Sequence, residues 1–292
     1  ATVDPATLMN AILKAPVDLL WFGGIGTYVK GSTQSNVDVG GPANDAIRVD
    51  GIEVRARAVG EGANLGITQA GRIEFSEKGG RINTDFIDNS AGVDCSDKEV
   101  NIKIPLNREM QEGRLTFDKR NALLVKMTDE VSEMVLEDNR LQTLALSIAE
   151  SGGSRVLPGY VRTIELLEIA GRIDRKVEGL ESSEDLLRRG QENRGLTRPE
   201  LAVVLSMSKL ALQDAAEDLK LADDRIVERE LYEAFPKPMR KPHEAAIRAH
   251  RLRHEILATR VANRLVNRLG PSAALDLTEE EGASLAQVIS AF

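Results

Sequence analysis

Residues 18–30 read DLLWFGGIGTYVK: the apolar run Leu19 to Phe22 passes directly into Gly23, Gly24 and Gly26. Four apolar residues stopped by glycine predict a short buried strand, too brief for a helix. Upstream, Leu8, Ala11, Ile12 and Ala15 keep helical spacing up to Pro16, and Asp4-Pro5 opens that helix with an acidic N-cap and proline at its first position. Downstream, VRARAV (54–59) alternates as a second strand, and GPANDAI (41–47) offers a short helical turn between the two. Helix, strand, helix and strand, each ending at glycine, predict a parallel sheet with crossover helices. Ligands of such sheets gather at the C-terminal ends of the strands, so the glycine loops are where chemistry is sought first.

Three loops qualify. FGGIGTYVKG is no Walker loop, because Lys30-Gly31-Ser32 has the wrong order, and Val29 stands where a GxGxxG would end. GEGANLG (60–66) follows the second strand and precedes TQAGRIEF, a predicted helix; it resembles a loosened dinucleotide fingerprint, with Asp85 or Asp88 as the acid for a ribose. NTDFIDNSAGVDCSDKEVN (83–101) crowds short polar groups into what reads as one loop, suited either to a small polar substrate or to capping the helix that follows. Its Cys95 is the sole cysteine, and with no histidine in the first half it is expected to be a small buried thiol.

From Phe117 onward the pattern changes to long amphipathic helices. Leu124, Met127, Val131 and Met134 share one face, and similar patterns cover 162–173, 199–218 and 243–269. Thr197 before Pro199-Glu200 marks a helix start. The division is placed between Glu99 and Phe117: α/β first, then all-α. His250 and His254 stand i, i+4, but HExxH is absent and they share a face with Ile247, Leu257 and Val261, so packed histidines are expected and no metal.

The 292 residues, 42% hydrophobic and 29% charged, describe a globular protein of about two domains. A net charge of −8 argues against a nucleic-acid partner, and no apolar run reaches the ~18 residues needed to cross a membrane. One cysteine excludes a disulfide framework and fits the cytoplasm. The chain begins without methionine and stops within a predicted helix, as a piece of a longer protein would.

Taken in order, DLLWFGGIGTYVK, VGEGANLGITQAGRIEF and GGRINTDFIDNSAGVDCSDKEVNIKI resemble the large bacterial NAD-dependent glutamate dehydrogenases, whose polypeptides are several times longer. GLTRPELAVVLSMSKLAL, AFPKPMR and HRLRHEILATRVANRLVNR are similar to their C-terminal helical region. The resemblance implies a partial Rossmann-type dinucleotide-binding domain over 1–110, a helical domain over 111–292, and NAD as cofactor. It implies oxidative deamination of L-glutamate to 2-oxoglutarate and ammonia by a homo-oligomeric parent. It also puts Gly23, Gly24, Asn64 and Asn89 at the nicotinamide end of the cofactor, and Asn89 and Ser96 on the substrate. Phe22 departs from the family, which usually carries a small polar residue there. The pyrophosphate loop, the substrate-binding lysines and the catalytic aspartate match nothing in this sequence. No catalytic residue is therefore expected in this chain, and the isolated chain is expected to be inactive. Two other readings are a non-catalytic helical assembly or regulatory module of a larger enzyme, and a small dehydrogenase using GEGANLG alone.

Overall fold

In a computed structural model, the structure describes residues 2–221 and 227–292. The chain forms two compact units built from interleaved segments, 1–90 with 146–204, and 91–145 with 205–292.

The first unit begins with α1 (Pro5–Leu13), whose N-cap Asp4 accepts the Thr7 N–H at 2.9 Å. Then come β1 (Leu19–Phe22), β2 (Val29–Lys30), α2 (Asn36–Val39), β3 (Val49–Asp50), β4 (Ala58–Glu61), α3 (Gln69–Glu77) and α4 (Asp85–Asp88). β1 pairs parallel with β4, Leu19 opposite Ala58 and Phe22 opposite Glu61. β2 pairs parallel with β3, Val29 opposite Val49. Phe22, Val29, Val49, Val59, Ile67 and Phe75 fill the core beneath these strands. The parallel β1–β4 pair places both C-terminal ends at one edge, where the Gly62 N–H donates to Phe22 O at 2.9 Å.

VRARAV departs from expectation in its ladder, not its alternation. Val54 and Ala56 are buried as predicted. However, residues 51–53 form a 3-10 turn closed by Val54 N–H to Gly51 O, so pairing starts only at Arg57 and Ala58.

The remaining helices are α5 (Ser90–Gln111), α6 (Phe117–Ser151), α7 (Leu157–Ile169), α8 (Ser183–Gln191), α9 (Arg198–Asp218), α10 (Glu228–Glu233), α11 (Lys237–Arg240), α12 (Glu244–Arg248), α13 (Arg253–Leu269), α14 (Ala273–Glu280) and α15 (Leu285–Ala291). Glu200 reaches back from the first turn of α9 to accept from Thr197 N–H at 2.6 Å and from Thr197 Oγ1 at 2.7 Å, so the predicted helix start is real. Ile102, Leu106, Met127, Phe235, Met239 and Leu257 form the core of the second unit.

Two expectations are corrected. Long helices begin at Ser90 rather than Phe117, because the polar residues of 90–101 lie along α5, where Asp94 pairs i, i+4 with Lys98 at 2.8 Å and Glu99 pairs with Lys103. The single helix expected over 243–269 is two, broken at 249–252 where the buried His250 Nδ1 accepts the Leu252 N–H at 3.0 Å.

Candidate functional site

The edge where β1 and β4 end is where the first unit carries its glycine loops. Gly23 and Gly24 are exposed. A Cβ at Gly24 would meet nothing within 4 Å, which leaves its backbone open to an approaching group. Gly26 serves the turn instead, since its φ is +143° and a Cβ there would lie 2.6 Å from the Tyr28 hydroxyl. Phe22, the departure from the family, is buried, and its ring stacks on Tyr28 at 6.0 Å. It is a core residue closing the base of the loop.

The GEG glycines have a packing reason within the protein. A Cβ on Gly60 would fall 2.6 Å from the Trp21 ring and one on Gly62 would fall 2.4 Å from it. Both positions lack a side chain because the indole of the neighbouring strand occupies that space. Trp21 is thus a residue that motif reading passes over; its alignment with Gly60 in the β1–β4 register is the signal.

Loop 62–66 is fixed by three carboxylates. Glu61, fully buried, forms a two-point pair with Arg72 (Nε–Oε2 2.7 Å, Nη2–Oε1 3.0 Å) and accepts the Ile67 N–H at 3.0 Å. Asp85 accepts the Leu65 N–H at 2.7 Å and pairs with Arg72 Nη2 at 3.0 Å. Asp88 accepts the Glu61 N–H at 2.9 Å and an amide hydrogen of Asn83 at 2.6 Å. Leu65 is held at φ +56°, which a leucine seldom adopts, and Thr27 Oγ1 grips its carbonyl at 2.8 Å. Burial pushes the Glu61 carboxyl up, against the pull of Arg72, and likewise raises Asp88. Asp85 and Asp88, expected near a ribose, are spent on the loop itself.

The loop presents Asn64. Its Oδ1 accepts from Asn89 Nδ2 at 3.0 Å, so two of the residues singled out from sequence meet across 25 positions of chain. Asn64 is exposed, and Asn89 is half-buried where α4 ends. Ser96 is exposed on α5, in the other compact unit, and its hydroxyl donates to Gly92 O at 3.2 Å. The exposed glycine backbone that follows β1 and the neutral Asn64–Asn89 amide pair can orient a polar ligand without burying a charge of their own.

The second unit corrects one expectation and explains another. Cys95 is exposed, not buried, since its position on α5 faces solvent. His250 is buried, with Nε2 donating to Asn101 O at 3.1 Å while Nδ1 accepts from Leu252, and burial holds it below the ordinary histidine range. Both ring nitrogens therefore have protein partners. No helix among the described residues is long and apolar enough to cross a membrane.

Residues 1–149 match the family model of the bacterial NAD-glutamate dehydrogenase catalytic domain, and residues 193–292 match that of the glutamate dehydrogenase C-terminal region. The NAD-specific glutamate dehydrogenase of Pseudomonas aeruginosa is 50% identical over 288 residues, 99% of this chain and 18% of that protein. That of Halomonas elongata is 47% identical over 290 residues, again 99% and 18%. That of Mycobacterium tuberculosis is 43% identical over 284 residues, 97% and 18%. The chain spans less than a fifth of the length of these curated relatives. Because the catalytic-domain model covers residues 1–149, about half of the chain and every strand and glycine loop of the first unit, the chain belongs to the bacterial NAD-glutamate dehydrogenase family.

Proposed function

We propose that the chain is part of an NAD-dependent glutamate dehydrogenase that deaminates L-glutamate oxidatively to 2-oxoglutarate and ammonia, and that it supplies the nicotinamide-end wall of the cofactor site. The observation that carries this reading is the Asn64–Asn89 amide pair, supported by the exposed Gly23-Gly24 backbone on the loop after β1. The division of labour is functional: residues 1–110 form the later part of a Rossmann-type domain, and 111–292 form a helical domain, although the packing units interleave across that division. The parent is read as a cytoplasmic homo-oligomer.

NAD, when bound, would accept the hydride leaving the substrate Cα. The chain's own residues orient. With one Asn89 Nδ2 hydrogen given to Asn64 Oδ1, the pair still offers the Asn64 amino group as donor and the Asn89 carbonyl as acceptor, which complement a ribose hydroxyl and a carboxamide. The fixed loop means this pair needs no reorganisation when a ligand arrives. The Ser96 hydroxyl is a neutral donor for a carboxylate once it turns from Gly92 O. The general base and the groups that bind the α-carboxylate are assigned to the rest of the parent.

In the full-length parent, Asn89→Ala and Ser96→Ala are each expected to lower kcat/KM for glutamate by about tenfold or more, with the melting temperature unchanged. Kinetics unaltered in both variants would remove the site assignment. The isolated chain should give no glutamate-dependent NADH; such turnover would overturn the reading of a split site.

A further inference from the structure

Within the second unit, a cleft of about 500 Å3 is lined by α5, α6 and α13. None of the residues assigned above to cofactor or substrate lines it. Part of the lining is apolar, contributed by Met134, Leu141 and Ile256. The polar part is incompletely satisfied. Lys98 lies between two carboxylates, donating at 2.8 Å to Asp94 Oδ1 and at 2.8 Å to Asp138 Oδ2. One ammonium for two carboxylates leaves a negative charge over, and Asp94 Oδ2 is buried without a hydrogen-bond partner. On α13, Asn267 Oδ1 is also buried and unpartnered. Buried acceptors without donors are rare in native proteins, and two on one cleft point to a donor-bearing ligand. Burial pushes the Asp94 carboxyl up, against the pull of Lys98, and the like charge of Asp138 adds to the rise. A second cation beside Asp94 would relieve that strain.

We propose that this cleft binds a small aliphatic molecule with a protonated primary amine, Asp94 supplying the counter-charge, Asn267 Oδ1 a second acceptor, and the apolar lining a place for the alkyl chain. An anion fits less well. Of the cleft's cations, Lys98 is taken by Asp94 and Asp138, and Arg260 and Arg264 are paired with Glu230 and Glu233 of α10. Only the exposed Arg268 lacks an acidic partner among the described residues. A metal ion fits less well again, since no three ligating side chains cluster among the described residues. Two sources share the amine chemistry: simple alkylamines, and amino acids whose carboxylate Arg268 would take.

Calorimetric titration of the chain with n-butylamine and with L-norvaline, which differ by the carboxylate alone, tests the proposal. n-Butylamine is expected to bind at one site with a Kd of about 1 mM or tighter. Sodium butyrate, which has no amine, should not bind. Asp94→Asn keeps the side chain's shape and should weaken n-butylamine by about tenfold or more. Asn267→Leu should weaken it too, with a melting temperature unchanged or higher, because the substitution removes an orphaned acceptor. Tighter binding of L-norvaline, with the gain lost in Arg268→Gln, would assign the cleft to amino acids; affinity no greater than that of n-butylamine would assign it to simple amines. Binding of neither amine would overturn the proposal and leave water as the donor to both oxygens. So would binding that Asp94→Asn and Asn267→Leu leave intact, or butyrate binding as tightly as n-butylamine. The titration involves no cofactor and no turnover, so its outcome is independent of the dehydrogenase reading.

Discussion

Glu61 has no exposed surface, and its charge is held by Arg72, which is itself buried and shared with Asp85. A buried pair gains little over an apolar one of the same shape, but removing one partner strands the other in a dry site. Arg72→Met should therefore cost this chain about 3–5 kcal/mol, read by urea unfolding with Trp21, the only tryptophan, as the probe. The double variant Glu61→Met with Arg72→Met should recover most of that loss. A single variant less than ~1 kcal/mol weaker than wild type would mean that the pair does not hold the loop. The letters of EGAN mark the candidate site in sequence, and the structure brings Asn64 and Asn89, both singled out there, into contact. What cannot be picked out is that Asp85 and Asp88 reach back 20 and 27 residues to backbone N–H groups, because a carboxylate's acceptor role depends on which donors the fold delivers.

Helix signals that depend on neighbours in the chain were readable: the Asp4 cap of α1, the Glu200 reach to Thr197, and the break at SGG after α6. The break between α12 and α13 was not, because it depends on a histidine anchored to Asn101, almost 150 residues away. Nor were β2 and β3, since two-residue strands have no periodicity to detect. α9 carries a further consequence of packing. Lys209 is half-buried with its ammonium on Gln142 Oε1 at 2.9 Å, and burial lowers its pKa from 10.5 to about 8, with Asp138 opposing weakly. Between pH 8 and 10.5 the folded state has released this proton while the unfolded state still holds it, so stability contributed at Lys209 rises with pH across that window. Lys209→Met should be more stable than wild type at pH 7 by about 1–2 kcal/mol, part of the full shift being screened by solvent. The gap should close by pH 10.5 in denaturation series run at both ends of the window. A gap that stays constant would mean the ammonium is not held in a desolvated place.

The two packing units are not consecutive in sequence, and this changes what a domain boundary near residue 110 means. Segment 146–204 packs with 1–90 through specific polar links: Gln69 Nε2 donates to Pro199 O at 3.1 Å, Arg194 Nη1 pairs with Glu77 Oε1 at 3.0 Å, and Arg198 Nε donates to Asn83 Oδ1. Asn83 in turn donates to Asp88, which accepts from the Glu61 backbone, so α9 is tied by a continuous chain of hydrogen bonds to the loop that presents Asn64. A change of grammar along a sequence marks where secondary structure changes. It does not report which later helices return to cover an earlier sheet, because that is decided by apolar surface, not by order. Residues 1–110 expressed alone would lack the 146–204 layer and, with a sheet of paired short strands, would have too little buried surface to fold cooperatively. Thermal unfolding followed by Trp21 emission should therefore be broad and without a clear midpoint for residues 1–110, but sigmoidal for the whole chain. A sharp transition in the short piece, within a few degrees of the full chain's midpoint, would show that the sheet and its glycine loops fold without the helices that return to them.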